Sequence, residues 1–215
     1  GTYDVKSDGD FGATAGTIPD YLMIGSTLLI ANPNRPVISY TRAVGARVEW
    51  RIPYGSFLSY HNSRLFVGRM TDNPGVLEYS KAGEWRSFLR PETNVRPEDA
   101  GKFSLADKTD DEITGLSEAF YGDIYAFTHR SINRIRINGD GMPERDVVSK
   151  SVGCDGNQTI RSVGNDLFWC SSKGVHSLAT TNKYGDVESS FLSAPIQRLW
   201  NRIPPEDIAQ AWATY

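Results

Sequence analysis

Short apolar runs recur along the chain, and four of them share the same surroundings. Each is a strongly apolar run of four residues, with a glycine as the last residue of one of them, and follows a pair of small or polar residues that suits a tight turn. The four runs are residues 28–31, 65–68, 124–127 and 167–170. Runs of this length that are bounded by turn residues are typical of buried β-strands. The pattern therefore predicts four equivalent strands.

Three further strands accompany each run, so the repeating unit is a four-stranded antiparallel sheet. An inner strand precedes each run, at residues 21–24, 57–60, 113–116 and 160–163. The strand that follows each run lies at 36–40, 75–79, 131–135 and 174–178. Outer strands are predicted at 47–50, 85–88, 146–149 and 187–190. Meandering four-stranded sheets in series are typical of β-propeller blades.

The spacing of the units supports this architecture. The apolar runs begin at Leu28, Leu65, Ile124 and Leu167, which gives intervals of 37, 59 and 43 residues. A blade repeat takes about 40 to 50 residues, so the middle interval needs an insertion. Residues 90–111 carry proline and charge without alternation and are predicted to be a surface loop. The sequence thus predicts an all-β, β-propeller-like array of four-stranded antiparallel blades over residues 21–191, after an N-terminal extension at 1–20.

Residues 192–215 predict a short helix and the start of a further strand. Ser193 suits an N-cap, and the prolines at 204 and 205 end the helix. Apolar residues follow the helical spacing i, i+3, i+4, i+7 at Ile196, Leu199, Trp200 and Ile203. The last five residues have the composition of a strand, which favours a piece of a larger propeller.

Composition narrows the classes of function. Hydrophobic residues make up 39% and charged residues 23% of the chain, so neither a disordered chain nor a membrane span is expected. The formal charge of -3 leaves no global basic field for nucleic acid. Cys154 and Cys170 form no CxxC pattern, so we expect buried, reduced thiols rather than a disulfide framework or a zinc site. The start has no secretory signal and no initiator methionine, which indicates processing or a fragment.

Several phrases resemble a known family. They are His61–Gly68 with Gly75–Ser80, Ile113–Leu116 with Asp123–Phe127, Val152–Cys154 with Asn165–Trp169 and Lys173–Leu178, and Leu192–Ile196. These phrases resemble the propeller domains of tailed-bacteriophage structural proteins, particularly the tail nozzle or tail tubular protein B family of short-tailed phages. The resemblance spans residues 22–215 and includes no catalytic motif. Members of that family are much longer than 215 residues, so a fragment and a smaller relative both remain open.

The resemblance implies a non-enzymatic structural protein located in the virion, in the phage tail. It implies a homo-oligomeric ring that assembles with itself and with other phage tail proteins around the DNA passage. Passive contact with viral DNA in the channel is compatible with it, and a membrane partner is not expected. Because propeller insertions provide variable contact surface, we expect the predicted loop at 90–111 to be the main interface element.

For every candidate catalytic, cofactor-binding or metal-binding residue, a structural interpretation is favoured over a functional one. The acidic run at 110–112 cannot itself supply a facing carboxylate pair, since adjacent residues on an extended chain point to opposite faces. His61, His129 and His176 lie in different units and are interpreted as hydrogen-bonded strand or turn histidines. The segment 80–85 partly resembles the Asp-box turn of sialidases and is interpreted as a hairpin. The chain is therefore predicted not to be an enzyme and to hold no cofactor.

Three polar patterns have a similar structural explanation. The Asn138–Gly141 segment is predicted to be a hairpin turn and Asp8–Asp10 a mobile terminus, since neither carries the trailing glutamate of a calcium loop. The sequon at Asn157 has no meaning without secretion. A local basic excess of four arginines could touch DNA, but a solvated sheet face is favoured; these are Arg134, Arg136, Arg145 and Arg161.

Two other classes of function stay open. A glycan-binding or glycan-hydrolysing propeller in host recognition would use Trp85, Tyr79 or Tyr121 as stacking platforms. A cellular protein-interaction propeller is disfavoured because the Trp-Asp and Kelch signatures are absent from the sequence. A sugar-hydrolysis assay combined with glycan-array binding separates the first of these from a structural protein.

Overall fold

The computed structural model describes residues 18–106, 111–179, 181 and 191–214, and within them the chain folds into four antiparallel sheets in series. Sheet 1 contains β1 (Asp20–Ile24), β2 (Thr27–Ala31), β3 (Ile38–Thr41) and β4 (Gly45–Val48). Sheet 2 contains β5 (Gly55–His61), β6 (Arg64–Met70), β7 (Val76–Tyr79) and β8 (Gly101–Ser104). Sheet 3 contains β9 (Ile113–Leu116), β10 (Asp123–Thr128), β11 (Ile132–Ile137) and β12 (Pro143–Ser149). Sheet 4 contains β13 (Arg161–Val163), β14 (Asp166–Ser171) and β15 (Gly174–Ser177).

The order of the strands confirms the predicted architecture. In every sheet the strands are hydrogen-bonded in chain order, and the four predicted apolar runs fall in β2, β6, β10 and β14, the second strand of each sheet. The inner strands of all four units are also confirmed. The fold is all-β and propeller-like. The predicted outer strand at 187–190 lies outside the described residues.

Tight turns between the first two strands of a sheet set the register. Asn62 and Ser63 both have positive φ between β5 and β6. Tyr121 and Gly122 repeat this conformation just before β10. Two consecutive residues with positive φ match the twist of a hairpin, which is why small or polar pairs precede the apolar strands.

The core lies between neighbouring sheets. The cluster between sheets 1 and 2 includes Leu29 and Val67, and the cluster between sheets 2 and 3 includes Phe66 and Ile124. Between sheets 3 and 4, the fully buried Trp169 contacts Phe127, with a ring-centroid distance of 5.1 Å. The indole nitrogen of Trp169 donates a hydrogen bond to the Gly153 carbonyl at 2.9 Å. Each sheet thus stacks on the next, as propeller blades do.

The prediction for the outer strand of sheet 2 was wrong. Residues 85–88 form no strand, and β8 lies instead within the segment 90–111 that was predicted to be a surface loop. Trp85 follows a tight turn, closed by a bridge between Lys81 and Glu84, and packs on the core between sheets 1 and 2. The true connection between β7 and β8 covers residues 80–100. Ala100 and Leu105, on either side of β8, are buried.

A buried arginine fastens this long connection to sheet 2. Arg64 is 1% exposed, and its guanidinium donates to the carbonyls of Ser80 at 2.8 Å and Asp99 at 2.9 Å. It also donates to the carbonyl of Pro97 and lies over the Tyr79 ring. Burial lowers the pKa of Arg64. The connection is therefore tied down at both its ends by one side chain.

The C-terminal segment differs from the prediction. A 3₁₀ turn at Ala194–Ile196 leads into a short helix, α1 (Gln197–Trp200), and a second helix, α2 (Pro205–Gln210), follows. The helix α2 was not predicted, because a proline pair was taken as a stop although proline is well suited to the first turn of a helix. The Ser193 hydroxyl accepts from the Val175 amide at 3.0 Å rather than capping the helix.

Residues 211–214 form no assigned strand, although the Ala213 amide donates to the Gln158 carbonyl at 3.0 Å. Tyr215, the last residue of the predicted further strand, lies outside the described residues. None of the helices in the described ranges is long and apolar enough to cross a membrane.

Candidate functional site

Sheet 1 presents an apolar face that no other described sheet covers. The strand register places Tyr21, Ile30, Ile38 and Val48 in one cross-strand row and Met23, Leu28, Tyr40 and Ala46 in the next. Residues paired across antiparallel strands lie on the same face. Tyr21 is 59% exposed, Met23 58% and Tyr40 46%, whereas Ile38 is buried. We call these eight residues the outward face of sheet 1.

The opposite face of sheet 1 is also apolar, and it is covered. Leu29 and Ala31 of β2 are fully buried against sheet 2, and Leu22 and Ile24 of β1 pack on the same cluster. A strand that is apolar on both faces is typical of a sheet with a neighbour on each side. The sequence of sheet 1 therefore suits an internal blade, with a neighbour on only one side in the described structure.

Sheet 4 ends the series with a partly apolar face. Val163, Phe168, Cys170 and Val175 share the side that faces away from sheet 3, and all four are partly exposed. Arg161, Asp166 and Ser177 lie on the same side. We call the four apolar residues the outward face of sheet 4. The C-terminal segment lies along the edge of this sheet, since the Leu192 amide donates to the Val175 carbonyl at 2.9 Å.

The inner strands line a cavity of about 820 Å³. All four sheets line it, and Asp20 of β1 and Arg161 of β13 are both in its wall. The Asp20 carboxylate accepts a hydrogen bond from the Leu58 amide at 2.7 Å. Burial raises the pKa of Asp20 to about 6, although this hydrogen bond and the charge of Arg161 act in the other direction.

A cluster of charged side chains joins sheets 2, 3 and 4 where the inner strands begin. The Arg69 guanidinium donates to the Glu112 carboxylate at 2.7 Å. The His129 ring lies between two carboxylates, with Nδ1 2.7 Å from Asp155 and Nε2 3.9 Å from Glu112. We call Arg69, Glu112, His129 and Asp155 the rim cluster.

The two carboxylates explain the charge state of the rim cluster. The hydrogen bond to Asp155, and then the nearby carboxylate of Glu112, raise the pKa of His129 to about 9. The nearby His129 ring lowers the pKa of Glu112. For Asp155 burial acts upward, but the bonds from His129 and Ser172 outweigh it and lower the pKa. At neutral pH the imidazolium and both carboxylates are therefore charged, which suits a clasp between sheets rather than a general base.

A smaller cavity of about 320 Å³ adjoins the rim cluster, and we call it the rim cavity. Thr114 lines this cavity, is 6% exposed, and has a hydroxyl without a hydrogen-bond partner in the described chain. Phe57 of β5 and Glu206 of α2 contribute to other parts of the wall. The wall of the rim cavity thus combines residues of α2 with residues from each sheet or from the segment that flanks that sheet.

The other two histidines occupy structural positions. His176 is buried on β15, stacks on Trp169 at a centroid distance of 5.8 Å, and shares a hydrogen bond with the Ser171 hydroxyl at 2.7 Å. Because both members of that pair are buried, they offer no access to a substrate. His61 ends β5 and lies away from the rim cluster.

The remaining sequence candidates fold as structural elements. The Ser80 hydroxyl accepts from the Leu65 amide at 2.9 Å within the Asp-box-like turn. Asn138 closes the predicted hairpin between β11 and β12, since its side-chain oxygen Oδ1 accepts from the Asp140 and Met142 amides. The sequon residue Asn157 accepts from the Leu116 amide at 3.0 Å. Asp8, Asp10 and Asp110 lie outside the described residues.

The predicted basic excess lies on sheets 3 and 4 and is largely paired. Arg134 lies 3.0 Å from Asp146, and Arg136 lies 3.2 Å from the same carboxylate. Arg145 donates to the Asn133 side chain and to the Ser104 carbonyl. Arg161 donates to the Ala213 carbonyl at 2.8 Å. These contacts support the solvated or structural interpretation over a DNA contact.

Among the described residues no three His, Cys, Asp or Glu side chains are grouped to hold a metal ion. Cys154 is buried before sheet 4, and burial raises the pKa of its thiol. Cys170 lies on β14 as predicted but is only partly buried. Both cysteines are free.

The three predicted stacking platforms differ in access. Tyr79 packs between Phe66 and Phe103 and is partly buried. Trp85 is covered on one face by Arg86, at 3.7 Å from the ring centroid. Tyr121 is 71% exposed and supported from below by Phe120. Only this last residue, of the three, presents an open ring to solvent.

The rim cluster was missed because its members lie far apart in the sequence and share no motif. A signal was nevertheless present. Arg69 lies four residues after Leu65 and His129 five residues after Ile124, so alignment of the repeats puts both at the same end of equivalent strands. A comparison of unit ends, rather than a search for local motifs, finds this pair.

The chain is similar to several solved structures, and two of the three described here are WD40 proteins. The crystal structure of RRP9 WD40 repeats aligns with 11% sequence identity and a TM-score of 0.44, covering 75% of this chain and 47% of that chain. The Neurospora crassa Pan2 WD40 domain aligns with 10% identity and a TM-score of 0.40, covering 70% of this chain and 41% of that chain. A europium-containing methanol dehydrogenase aligns with 14% identity and a TM-score of 0.39, covering 70% and 28%.

The chain spans about half the length or less of these solved structures. No protein-family model matches it, and no curated protein does either. The predicted resemblance to phage tail proteins is therefore confirmed only for the fold, which is propeller-like. Nothing in these comparisons indicates a phage tail protein.

Proposed function

We propose that the chain is a non-enzymatic assembly module whose blade series is continued by a second copy of itself. The single observation that carries this proposal is the outward face of sheet 1. The largest contiguous apolar patch on a folded protein covers a few hundred Å² and is often functional. Four strands that are spaced by about 4.8 Å and are about four residues long cover on the order of 250 Å² in projection.

The partner surface of matching chemistry is the outward face of sheet 4. Contact between sheet 1 of one copy and sheet 4 of the next is head-to-tail, and such contacts close into rings when the rotation allows. Two copies with four sheets each give eight blades, at the upper end of the usual range of about 4 to 8. In that ring each copy buries both of its apolar end faces.

The phrases that resemble tail nozzle proteins support the phage tail as the place of assembly. In that setting the ring contacts other tail proteins and encloses the DNA passage, and the protein resides in the virion. The mass and stoichiometry of the full-length protein in native particles test this part of the proposal. Its absence from purified particles contradicts the tail location without affecting the head-to-tail ring.

The self-assembly proposal is tested by the mass of the chain in solution. The wild-type chain is expected to sediment as a dimer, while Met23→Lys places a charge on the β1 part of the outward face of sheet 1 and gives a monomer. Leu89→Lys is the matched control, because Leu89 is 86% exposed and lies outside both outward faces. A monomeric wild-type chain contradicts the proposal, as does a Met23→Lys variant that still dimerises.

The non-enzymatic part rests on the paired state of the rim cluster and the burial of the Ser171–His176 pair. A panel of chromogenic glycosides tests it. Turnover that exceeds the buffer blank and persists in the Met23→Lys monomer makes the chain a glycan-cleaving propeller instead.

A further inference from the structure

The C-terminal segment carries an apolar stripe on the side that faces solvent. Residues 191–203 form successive helical turns, and the apolar side chains in them recur at intervals of three or four residues, which places them on one side of the segment. Leu192 is 48% exposed, Ile196 50%, Leu199 60% and Ile203 40%. We call these four residues the C-terminal stripe.

The other side of the segment is fixed to sheet 4 by hydrogen bonds. The side-chain amide of Gln197 donates to the Lys173 carbonyl at 2.7 Å, and the indole of Trp200 donates to the Ser171 carbonyl at 3.0 Å. An amphipathic helix on a protein surface ordinarily turns its apolar side inward and its polar side to solvent. Here polar groups bind the sheet while the stripe faces solvent, so the stripe suits contact with a further surface.

The backbone places the start of the stripe beside the outward face of sheet 4. The Leu192 amide donates to the Val175 carbonyl at 2.9 Å, and in sheet 1 the Glu49 amide donates to the Val37 carbonyl at the same distance. Because both valines lie opposite the end of the second strand of their sheet, Leu192 takes the place in sheet 4 that Glu49 takes in sheet 1. The Glu49 carboxylate accepts a hydrogen bond from Arg86, in the connection of the next sheet. Leu192 therefore points toward whatever sheet follows sheet 4.

The area that a stable dimer needs favours a second copy of the chain as the occupant. This inference rests on the proposed head-to-tail ring, in which the sheet that follows sheet 4 is sheet 1 of the second copy. Each copy contributes two sheet faces that together cover on the order of 500 Å², whereas a stable interface takes about 800 Å² from each partner. Arg161 and Asp166 also reduce the apolar part of sheet 4. The C-terminal stripe supplies apolar area directly beside that face.

Sheet 1 has an apolar counterpart at the same end of its strands. Since Glu49 points toward sheet 2 and successive residues of an extended chain point to opposite faces, Val48 and Trp50 point away from sheet 2. Trp50 is 70% exposed, and tryptophan is enriched among the residues that carry most of the binding energy of an interface. We propose that the C-terminal stripe packs against Val48 and Trp50 of the second copy and forms the outer part of the head-to-tail contact.

The test is sedimentation equilibrium of the full chain. Leu199→Lys places a charge in the stripe and should weaken the dimer at least about tenfold, since a leucine side chain is then no longer buried in each contact. Asn201→Lys is the matched control, because it adds the same charge on the other side of the helix, where Asn201 is exposed, and it should dimerise like the wild type. Ile203→Lys provides a second route if the circular dichroism spectrum of Leu199→Lys shows that this variant does not fold.

A charge pair tests which surface the stripe contacts. Trp50→Glu alone should also weaken the dimer. Combined with Leu199→Lys in one chain, it puts opposite charges across each head-to-tail contact, so the double variant should dimerise more tightly than either single variant. A double variant that dimerises no more tightly than the weaker single variant contradicts this contact.

Failure of the stripe and failure of the ring give different results. A wild-type dimer that Met23→Lys disrupts but Leu199→Lys leaves unchanged overturns the role of the stripe and keeps the head-to-tail ring. A monomeric wild-type chain overturns both. If the wild-type chain binds phosphatidylglycerol vesicles, and Leu199→Lys abolishes that binding without weakening the dimer, the stripe belongs to a membrane contact and the proposal is wrong.

Discussion

His129 is the residue whose charge most directly connects the sheets. Its ring contacts Asp155, in the segment before sheet 4, and Glu112, which also pairs with Arg69 of sheet 2. The folded-state pKa of His129 is about 9, above its ordinary value of 6.5. Its contribution to stability is therefore fully present below about pH 6.5 and is lost as the pH rises through about 9.

We expect the free energy of unfolding to fall between about pH 6.5 and 9, and His129→Gln to remove most of that slope. Urea unfolding over this pH range measures it. His61→Gln is the matched control, because His61 lies at the end of β5 outside the rim cluster, and the slope should persist in it. An equal slope in the wild type and in His129→Gln contradicts the clasp.

The Arg64 side chain holds the connection between β7 and β8 in place through hydrogen bonds to backbone carbonyls. Arg64→Met should destabilise the chain by more than about 3 kcal/mol, because the carbonyls of Ser80 and Asp99 lose a charged donor in a buried place. Chemical denaturation measures the change. Arg96→Ala, in the same connection, is the control and should alter stability by less than about 0.5 kcal/mol, since Arg96 makes only an exposed ion pair with Glu98.

At the scale of elements, the sequence predicted the strands that alternate apolar residues with tight turns. The four second strands and the four inner strands were found because burial against a neighbouring sheet imposes an apolar run. The outer strand of sheet 2 was misplaced. Outer strands bury less, so Gly101–Ser104 carries a weak pattern, whereas Trp85 and Phe88 imitate a strand while packing on the core from a turn.

The position of β8 changes the expected outcome of a deletion. Removal of residues 90–111 takes away β8 and the buried residues Ala100 and Leu105, so the chain should lose its cooperative unfolding transition. Replacement of residues 89–95 alone by a Gly-Ser linker should keep it, since most of that stretch is exposed and loop length costs little. Thermal denaturation followed by circular dichroism compares the two. A cooperative transition in the larger deletion shows that β8 is dispensable.

At the scale of the molecule, the candidate sites could be predicted only in part. The repeat period predicts neighbouring blades, and so it predicts that an end blade has an unsatisfied face. It does not predict which side chains meet at the rim, because Arg69, Glu112, His129 and Asp155 come together only through the stacking of three sheets. The orphaned hydroxyl of Thr114 has no counterpart in a sequence pattern, since its environment arises entirely from tertiary structure.

The head-to-tail ring makes a prediction that a symmetric contact does not share. Met23→Lys places a charge in the outward face of sheet 1, and Val175→Lys places a charge in the outward face of sheet 4. Each variant alone should be monomeric, because every contact it forms includes one charged face. In an equimolar mixture, the intact sheet 4 of the first variant meets the intact sheet 1 of the second, so one of the two contacts of the ring is restored.

Sedimentation velocity measures the outcome of that mixing. A heterodimer should appear in the mixture and be weaker than the wild-type dimer, since only one contact is intact. Lysine at either position has room to extend toward solvent, because both residues are at least partly exposed, so the folded monomers should survive and their circular dichroism spectra should match the wild type. A mixture that stays monomeric while the wild type dimerises points to a contact between two copies of the same face, and head-to-tail assembly is then wrong.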